Sequence, residues 1–269
     1  PVVRQPGAAG RKRPTGHKQQ LESIDFMKTM KSLTLGALVM GAVTAVPAYA
    51  NELTANASVT NNYIWRGLTQ TENNPAVQGG FDYAHDSGFY AGTWVSNVSY
   101  EPAGVFNYEH DMYAGFSGGS DNFSWDVGYL YYNYDKAAEF DFGEIYGSIG
   151  FSGFSVSLNV LANTEADEGI GQDFGFGSTY YVSGDYAFEV AGGLEIGLHI
   201  GYHDGDFSEA FNGVDGSYID YNVSLSRGGF GFMVTGTDAD GNFATSDRLA
   251  NDELKFVVSY SVDFDLLSD

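Results

Sequence analysis

Cysteine is absent from the 269 residues, proline occurs only 6 times, and basic residues are few. Without cysteine, the chain can form neither a disulfide framework nor a thiolate site. Lys and Arg total 12 against 35 Asp and Glu, which gives a formal net charge of −23 at pH 7. Because so few cations cannot neutralise a phosphate backbone, nucleic acid is excluded as a class of partner.

The N-terminal residues differ in character from the rest. Residues 1–26 precede the first methionine, Met27, and show no periodic apolar pattern. We interpret them as a disordered leader outside the fold, either non-native or the product of a start assigned too early. A genuine cytoplasmic extension is the alternative.

A secretory signal peptide is predicted over residues 27–50. Two lysines precede an uncharged apolar run over residues 33–46, and a small-x-small cleavage site ends at Ala50. The run is shorter than the ~20 residues that a membrane-spanning helix needs, which argues against an uncleaved anchor. Because 7 basic and 2 acidic residues precede the cleavage site, the remaining domain has 12 − 7 = 5 basic and 35 − 2 = 33 acidic residues.

Long apolar runs are also missing after Ala50, so no membrane-spanning helix is predicted there. What the domain does contain is glycine and aromatic residues: 36 Gly, 19 Tyr and 20 Phe in the whole chain. This composition favours β-strands joined by tight turns.

Apolar and polar residues alternate almost everywhere from Leu53 onward, and no convincing helical period is present. Leu53, Ala55, Ala57 and Val59 share one face of the first strand, and the pattern repeats to predict about twelve strands. The apolar faces contain no Asp, Glu, Lys or Arg. The opposite faces hold the ionisable residues, among them Asp82, Glu109, Asp111, Asp126, Glu144, Asp185, Glu195, His199 and Asp220.

Alternation alone does not decide whether the apolar face meets lipid or a protein core. Aromatic residues at the strand ends next to short turns favour lipid, because an interfacial aromatic girdle belongs there. The predicted girdle consists of Tyr83, Phe116, Trp125, Phe151, Phe154, Phe188, Phe230 and Phe264, with Phe123 beside it.

Connection lengths favour lipid as well. Tight turns are predicted at residues 85–88, 118–122, 152–153, 191–193 and 227–229, and longer connections at 62–75, 101–107, 135–141, 164–177, 204–217 and 238–251. Short periplasmic turns alternating with long external loops are typical of outer-membrane barrels. Strands of about ten residues also span the ~25 Å apolar band of that membrane.

We therefore predict an all-β domain over residues 51–269, a transmembrane antiparallel up-and-down β-barrel of about twelve strands in the bacterial outer membrane. Lipid and lipopolysaccharide would surround it, and a soluble all-β secreted protein is the alternative. The third strand fits least well, because Tyr90 and Trp94 lie on the face opposite Phe89, Ala91 and Val95.

A motif in the first third of the domain resembles a bacterial family. It consists of residues 63–70 (Tyr-Ile-Trp-Arg-Gly-Leu-Thr-Gln) and 75–79 (Pro-Ala-Val-Gln-Gly), with Asp82, Tyr83, Gly88, Phe89, Trp94, Asn97, Glu109, Asp111, Tyr113 and Gly115 further along. These residues are similar to the TorF porin family, also called the Gcw_chp domain family. The resemblance extends over residues 51–264, implies an outer-membrane porin, and brings no catalytic residues.

The C-terminus departs from the usual end of such barrels. Barrels handled by the outer-membrane assembly machinery, an expected partner, typically end on an aromatic residue. Here residues 265–269 follow Phe264. Phe264 is expected either to act as that signal ahead of a short tail or to belong to an atypical terminus.

Arg66 is the most distinctive charge, since it is one of five basic residues after Ala50. Its place on the polar face predicts that it projects into the lumen. Two roles stay open: a structural ion pair with an inward carboxylate, or one side of a pore constriction with a transverse field.

The inward acids, together with Arg66 and His199, are predicted to line a pore. Carboxylates in a water-filled pore attract cations and repel anions, which predicts cation preference. The alternative is a plugged or closed barrel, because twelve strands lie between the filled eight-strand and the open sixteen-strand sizes.

No cofactor, metal or catalytic site is predicted. His199 and His203 share a strand face but lie about 13 Å apart, too far for one metal ion. His85, Asp86 and Ser87 have the residue types of an outer-membrane phospholipase, but Asp, Ser and Gly in a tight turn explain them more simply. Acidic loops near Glu165 and Asp204 are expected to be solvated, with calcium or a bridge to lipopolysaccharide as the alternative.

The predicted function is passive diffusion of small hydrophilic solutes, cations preferred. The alternative is a closed barrel with a structural or adhesive surface role, and a phospholipase is less favoured. The sequence leaves the oligomeric state open.

Overall fold

The computed structural model describes residues 51–100, 105–239 and 251–268. The predicted leader and signal peptide lie outside these residues and stay predictions. Twelve antiparallel strands close into a barrel in which each strand bonds its sequence neighbour and the first meets the last, which confirms the predicted fold. The barrel strands are β1 (Glu52–Thr60), β4 (Ala76–Ala84), β5 (Phe89–Asn97), β6 (Tyr108–Ser120), β7 (Phe123–Tyr134), β8 (Phe142–Phe151), β9 (Phe154–Thr164), β10 (Tyr180–Val190), β11 (Leu194–Asp204), β12 (Tyr218–Arg227), β13 (Phe230–Thr237) and β14 (Lys255–Ser268).

Two short strands lie outside the barrel wall. β2 (Ile64–Trp65) and β3 (Leu68–Thr69) pair as a separate hairpin between β1 and β4. The described part also has one helix, α1 (Asp206–Asn212), between β11 and β12. Within the described residues, no helix is long and apolar enough to cross a membrane.

The two faces of the barrel wall have opposite polarity. Outward apolar side chains are strongly exposed, as at Val77 (69%) and Phe256 (60%), while inward carboxylates such as Glu109 and Asp220 are 1% exposed. A water-soluble barrel has the reverse arrangement, because its apolar faces form the core. An exposed apolar band around a polar interior is the surface of a transmembrane barrel.

The misfit of the third strand is explained by the interior. On β5, the Tyr90 hydroxyl donates a hydrogen bond to Asp126 Oδ1 at 2.7 Å, and the Trp94 ring packs 5.5 Å from Tyr63. Val95 points outward and is 48% exposed. The strand therefore follows the same alternation, with its larger aromatic side chains turned inward.

Connection lengths alternate as predicted, with small shifts at the turns. The turn predicted at residues 118–122 is only residues 121–122, since β6 continues to Ser120. The β8–β9 turn consists of Ser152 (φ 50°) and Gly153 (φ 87°), the left-handed pair that a two-residue hairpin turn requires. We call the end of the barrel with these turns the short-turn end, and the opposite end the long-loop end.

The C-terminal residues form part of the wall, so the expectation of a short tail after Phe264 is wrong. β14 continues to Ser268 and pairs Leu267 with Leu53 and Ser268 with Glu52. A register shift between Leu53 and Thr54 accommodates one extra residue on β14. The closing seam therefore runs the full length of β1.

Two predicted loops are folded instead of extended. Residues 62–75, expected as an external loop, turn into the lumen as the β2–β3 hairpin. Residues 204–217, expected as a solvated acidic loop, contain α1, which is held between Gly205 and the left-handed Gly213. Both segments close the barrel at its long-loop end.

Candidate functional site

A hairpin fills the lumen near the long-loop end; we call residues 62–71 the plug hairpin. Its turn consists of Arg66 (φ 47°) and Gly67 (φ 80°), both left-handed, between Trp65 and Leu68. Gly67 also touches the barrel wall, because a Cβ atom there would lie 2.5 Å from Asp220 Cβ. Glycine is therefore needed at the tip for both backbone conformation and space.

The plug hairpin crosses the lumen from one side to the other. It leaves the wall between β1 and β4, whereas the residues around its tip belong to β8, β10, β11 and β12. In the twelve-strand ring, β9 and β10 lie opposite the seam between β1 and β4. The tip therefore contacts the far wall.

Arg66 anchors the tip to that wall. Its two terminal nitrogens donate to Glu144 Oε1 at 2.9 Å and Oε2 at 2.6 Å, and both side chains are almost fully buried. The guanidinium carbon lies 4.2 Å from the Trp65 ring centroid and 4.4 Å from that of Tyr181. Burial alone would lower the pKa of Arg66, but attraction to Glu144 outweighs it, and the pKa lies above its ordinary value.

Wall residues hold the partners of Arg66 in place. Glu144 Oε2 also accepts from the Tyr132 hydroxyl at 3.3 Å and from Asn159 Nδ2 at 3.2 Å. His203 Nε2 lies 3.1 Å from an Arg66 nitrogen that can only donate, so Nε2 is the acceptor and the ring proton is on Nδ1. That proton points to the Tyr218 hydroxyl at 3.2 Å.

The root of the plug hairpin is tied by hydrogen bonds within residues 62–74. Asn62 Oδ1 accepts from the Thr69 hydroxyl at 2.6 Å, and Asn62 Nδ2 donates to Asn73 Oδ1 at 2.8 Å. The Thr71 hydroxyl donates to the Asn74 carbonyl at 2.6 Å. The root thus has a hydrogen-bond network of its own, besides the bond from the Tyr63 hydroxyl to Glu109 of β6, whereas the tip contacts the far wall.

An aromatic layer closes the lumen at the long-loop end. Phe207 and Phe211 of α1 lie 5.0 and 5.2 Å from the Phe142 ring, and Phe211 lies 5.9 Å from Trp65. The layer belongs to a buried cluster that also contains Tyr63, Tyr132, Tyr134, Leu161 and Phe174. A packed apolar layer of this kind has few gaps large enough for water.

The short-turn half of the lumen is lined differently, and we call its inward face the vestibule. Its inward residues, all partly exposed, include Asp82, Ser148, Ser155, Asp185, Glu195, Ser224 and Ser226. Tyr113 donates to Asp82 and lies flat against the wall, since a Cβ on Gly92 would come within 2.5 Å of its ring. Tyr90 lies on Gly115 in the same way. Small residues and flattened rings leave this half open.

His199 connects the vestibule to the plug. Its Nδ1 lies 2.6 Å from Asp185 Oδ1, and its Nε2 lies 3.0 Å from Asp220 Oδ1, so each ring nitrogen faces a carboxylate. Asp220 Oδ2 accepts from the Tyr181 hydroxyl at 3.1 Å. A hydrogen-bonded chain therefore runs from the vestibule to Tyr181, whose ring face meets Arg66.

A second pair of acids is buried beside the plug. Glu109 accepts hydrogen bonds from the Tyr63 and Tyr134 hydroxyls, both at 2.7 Å. Asp111 is 2% exposed, and its Oδ1 has no hydrogen-bond partner among the described residues. These carboxylates pack against the plug instead of facing an open path.

All ten residues predicted to line a pore are inside the barrel, but they fall into two groups. Arg66, Glu109, Asp111, Glu144 and Asp220 are buried at the plug, and Asp126 is buried in the wall below it. Asp82, Asp185, Glu195 and His199 lie at the vestibule. Arg66 enters the lumen at the tip of the hairpin. The prediction that it lies on the polar face of a strand was therefore wrong. A pore-lining role for the ten stays a prediction.

The predicted girdle residues lie on the outward face near the short-turn end. Phe151 and Phe230 are the most exposed of them, at 64% and 65%, and Phe154 stacks on Tyr186 at 4.1 Å. Tyr83, Phe116, Trp125, Phe188 and Phe264 share this face and this end. Their contact with a membrane interface stays a prediction.

The remaining candidates are engaged in local contacts. In the β4–β5 turn, His85 Nδ1 lies 2.8 Å from the Ser87 hydroxyl and accepts from the Ser87 backbone N–H, a turn arrangement at the surface. In the acidic loops, Asp206 Oδ2 accepts from the Asp173 N–H at 2.7 Å. Over residues 51–100, 105–239 and 251–268, no three His, Cys, Asp or Glu side chains are placed to hold a metal ion.

The sequence contains signals for both closing segments. Arg66-Gly67, with glycine in the second position, stands between the β-prone pairs Ile64-Trp65 and Leu68-Thr69, which is a hairpin pattern. Phe207 and Phe211, four residues apart, share one face of a helix. Neither pattern shows that its segment folds into the lumen.

Comparisons with known proteins identify a family and a set of similar folds. The model of the family Gcw_chp, described as a bacterial protein of unknown function, matches residues 44–263. The TorF name and a porin activity are not part of that description, so the activity stays a prediction. No curated protein is a significant match to the chain.

Several solved structures of barrels are similar to this one. The KdgM porin has 12% identity and a TM-score of 0.45, over 79% of this chain and 98% of that one. OprD of Pseudomonas aeruginosa has 11% identity and a TM-score of 0.38, over 80% of this chain and 67% of that one. Likeness at this level carries no argument about what the chain does.

Proposed function

The chain belongs to the Gcw_chp family of bacterial proteins, and we propose that it acts in the outer membrane as a gated channel for passive diffusion of small hydrophilic solutes. In this proposal, residues 27–50 direct export and are removed, and the outer-membrane assembly machinery inserts residues 51–269. The described conformation is the closed state.

One observation carries the proposal: a polar, acid-lined vestibule ends at a plug whose tip is held to the far wall by non-covalent contacts. The main one is the ion pair between Arg66 and Glu144. A barrel that served only as a scaffold would gain more stability from a packed apolar interior than from buried charges. A buried ion pair between the hairpin tip and the wall is consistent with a plug hairpin that moves.

Charge supports cation preference. Among the described residues, the inward Lys and Arg side chains are Arg66, which is neutralised by Glu144, and Lys255, which donates to the carbonyls of Asn251 and Glu253. His199 is paired with Asp185 and Asp220. Asp185 and Glu195 lie at the vestibule among several further carboxylates. Such a surface concentrates cations and repels anions.

A closed barrel that acts through its external loops is the second candidate. The aromatic layer formed with Phe207 and Phe211 favours it, because that layer blocks the long-loop end. A solute would have to displace this layer as well as the hairpin tip.

Planar-bilayer recording on the refolded full-length chain in a potassium chloride gradient distinguishes the two. A gated channel gives discrete conductance steps, and its reversal potential lies toward the potassium equilibrium potential. Silent membranes that contain correctly folded protein favour the closed barrel. Steps with an anion-selective reversal potential would retain the channel and reject the cation preference.

A further inference from the structure

The far wall forms a pocket around the guanidinium of Arg66. Glu144 contributes both carboxylate oxygens, Tyr181 contributes the face of its ring, and His203 contributes an acceptor nitrogen. These are the groups that bind a planar cation with several N–H donors. All three belong to barrel strands and remain in place if the hairpin tip leaves.

This pocket is organised without the help of Arg66. Tyr132 and Asn159 donate to Glu144 Oε2, the Tyr218 hydroxyl faces His203 Nδ1, and Asp220 accepts from the Tyr181 hydroxyl. Wall residues therefore orient each of the three contacts. A vacant pocket would keep the geometry that now fits a guanidinium.

A vacant pocket would leave the Glu144 carboxylate without its cation. The Glu144 side chain is only 4% exposed, so little water could replace Arg66. Because a buried carboxylate without a partner is costly, a vacant pocket favours the binding of another cation.

A polar cavity lies at the Tyr181 edge of the pocket, toward the vestibule. A small cavity beside the hairpin tip is lined by Tyr181, His199 and Asp220, with Arg66 and Gly67 on its other side. It has room for about one water molecule. His199, in turn, contacts Asp185 of the vestibule.

We propose that this wall pocket, formed by Glu144, Tyr181 and His203, is a binding site for a solute with a guanidinium or primary alkylammonium group, and that Arg66 is its tethered occupant. The solute and Arg66 compete for Glu144. Binding of the solute releases the hairpin tip, and departure of the solute allows Arg66 to return.

This inference rests on the proposed channel for its physiological meaning, since it specifies the class of solute that would open it. Binding at the pocket can nevertheless be measured without any conductance. A barrel that binds the probe but never conducts would reject the channel and retain the pocket. A protein that conducts but whose pocket binds no guanidinium would retain the channel and reject the pocket.

The test is calorimetric titration of the refolded full-length chain with N-methylguanidinium chloride. Arg66→Ala removes the tethered competitor, so its affinity should exceed that of the unaltered protein by at least about tenfold. The double variant Arg66→Ala/Glu144→Gln should lose this gain. Arg227→Ala, at the exposed end of β12, is the matched control for loss of one arginine and should bind like the unaltered protein.

A second measurement follows the tip in the protein with Arg66 intact, so it does not depend on whether Arg66→Ala folds. Displacement of the tip exposes Trp65, and acrylamide quenching of Trp65, taken as the difference from Trp65→Phe, should rise with N-methylguanidinium. Tetramethylammonium has the same charge but no N–H donor and should leave quenching unchanged. Equal effects of both cations, or no gain in affinity in Arg66→Ala, would overturn the proposal.

Discussion

Arg66, at the tip of a hairpin that begins between β1 and β4, forms a two-bond ion pair with Glu144 on the opposite side of the barrel. The pair therefore links two parts of the wall that share no backbone hydrogen bonds. It holds the plug hairpin across the lumen together with the packing of Trp65 against Phe142 and of Ile64 in a buried cluster with Val257.

Neutralising Glu144 should loosen the plug. Glu144→Gln keeps the volume and one acceptor oxygen but removes the charge that attracts Arg66, and breaking a buried pair typically costs about 3–5 kcal/mol. The barrel ladder is untouched, so the protein should still insert, and its open probability in single-channel records should rise. Glu189→Gln removes an exposed inward carboxylate that has no contact with the plug and should leave open probability unchanged. Equal behaviour of the two variants would show that the pair does not hold the plug.

Locking the hairpin should stop conduction. Ile64 packs with Val257 of β14 in one buried cluster, and the chain has no cysteine that could form a competing disulfide. The variant Ile64→Cys/Val257→Cys should conduct when reduced and be silent when oxidised, because the disulfide fixes the hairpin in the lumen. The same sample before and after addition of a reductant is its own control. Undiminished conductance with a fully formed disulfide would mean that solutes pass beside the hairpin.

At the hairpin tip, a side-chain clash should lower the free energy of unfolding more than backbone strain does. Gly67→Ala places a Cβ at 2.5 Å from Asp220 Cβ at a residue with φ 80°. Gly193→Ala has the same strain at φ 73° but meets nothing within 4 Å. Each should destabilise by about 1 kcal/mol through its φ angle, and Gly67→Ala should lose about 1–3 kcal/mol more through the clash. Urea unfolding in lipid vesicles measures the difference, and identical values for the two variants would refute the contact.

A charge on the outer wall should be costly only where lipid meets it. Leu198, in the middle of β11, points outward and is 43% exposed. Leu198→Arg should lower the free energy of unfolding in vesicles by about 2–4 kcal/mol, the usual penalty at mid-bilayer. Leu254, which is 51% exposed and lies outside the strands, should tolerate Arg at almost no cost. Similar small costs at both positions would indicate that water surrounds the outer wall.

The barrel could be predicted because its pattern is local. Each strand shows its alternation within about ten residues, and Leu53 to Val59 or Phe256 to Phe264 reveals the outward face without any knowledge of neighbouring strands. The girdle and the connection lengths follow from positions relative to the turns. Even β5 obeyed the pattern once Tyr90 and Trp94 were assigned to the inside.

The plug could not be predicted, because it depends on contacts between distant residues. Arg66 lies 78 positions before Glu144 and 137 before His203, and nothing near Arg66 indicates which carboxylate it meets. A hairpin pattern is equally compatible with an external loop. The inward acids were therefore placed on the correct face, but their division between buried plug contacts and the vestibule came from the structure.

Tyr113 and Tyr90 lie flat on Gly92 and Gly115, so two of the largest side chains of the vestibule follow the wall instead of crossing the lumen. Strand number and tilt fix the distance across a closed barrel. In the proposed channel, the width of the vestibule would therefore be a constant of the cylinder. Any response to conditions would come from the hairpin that crosses the lumen.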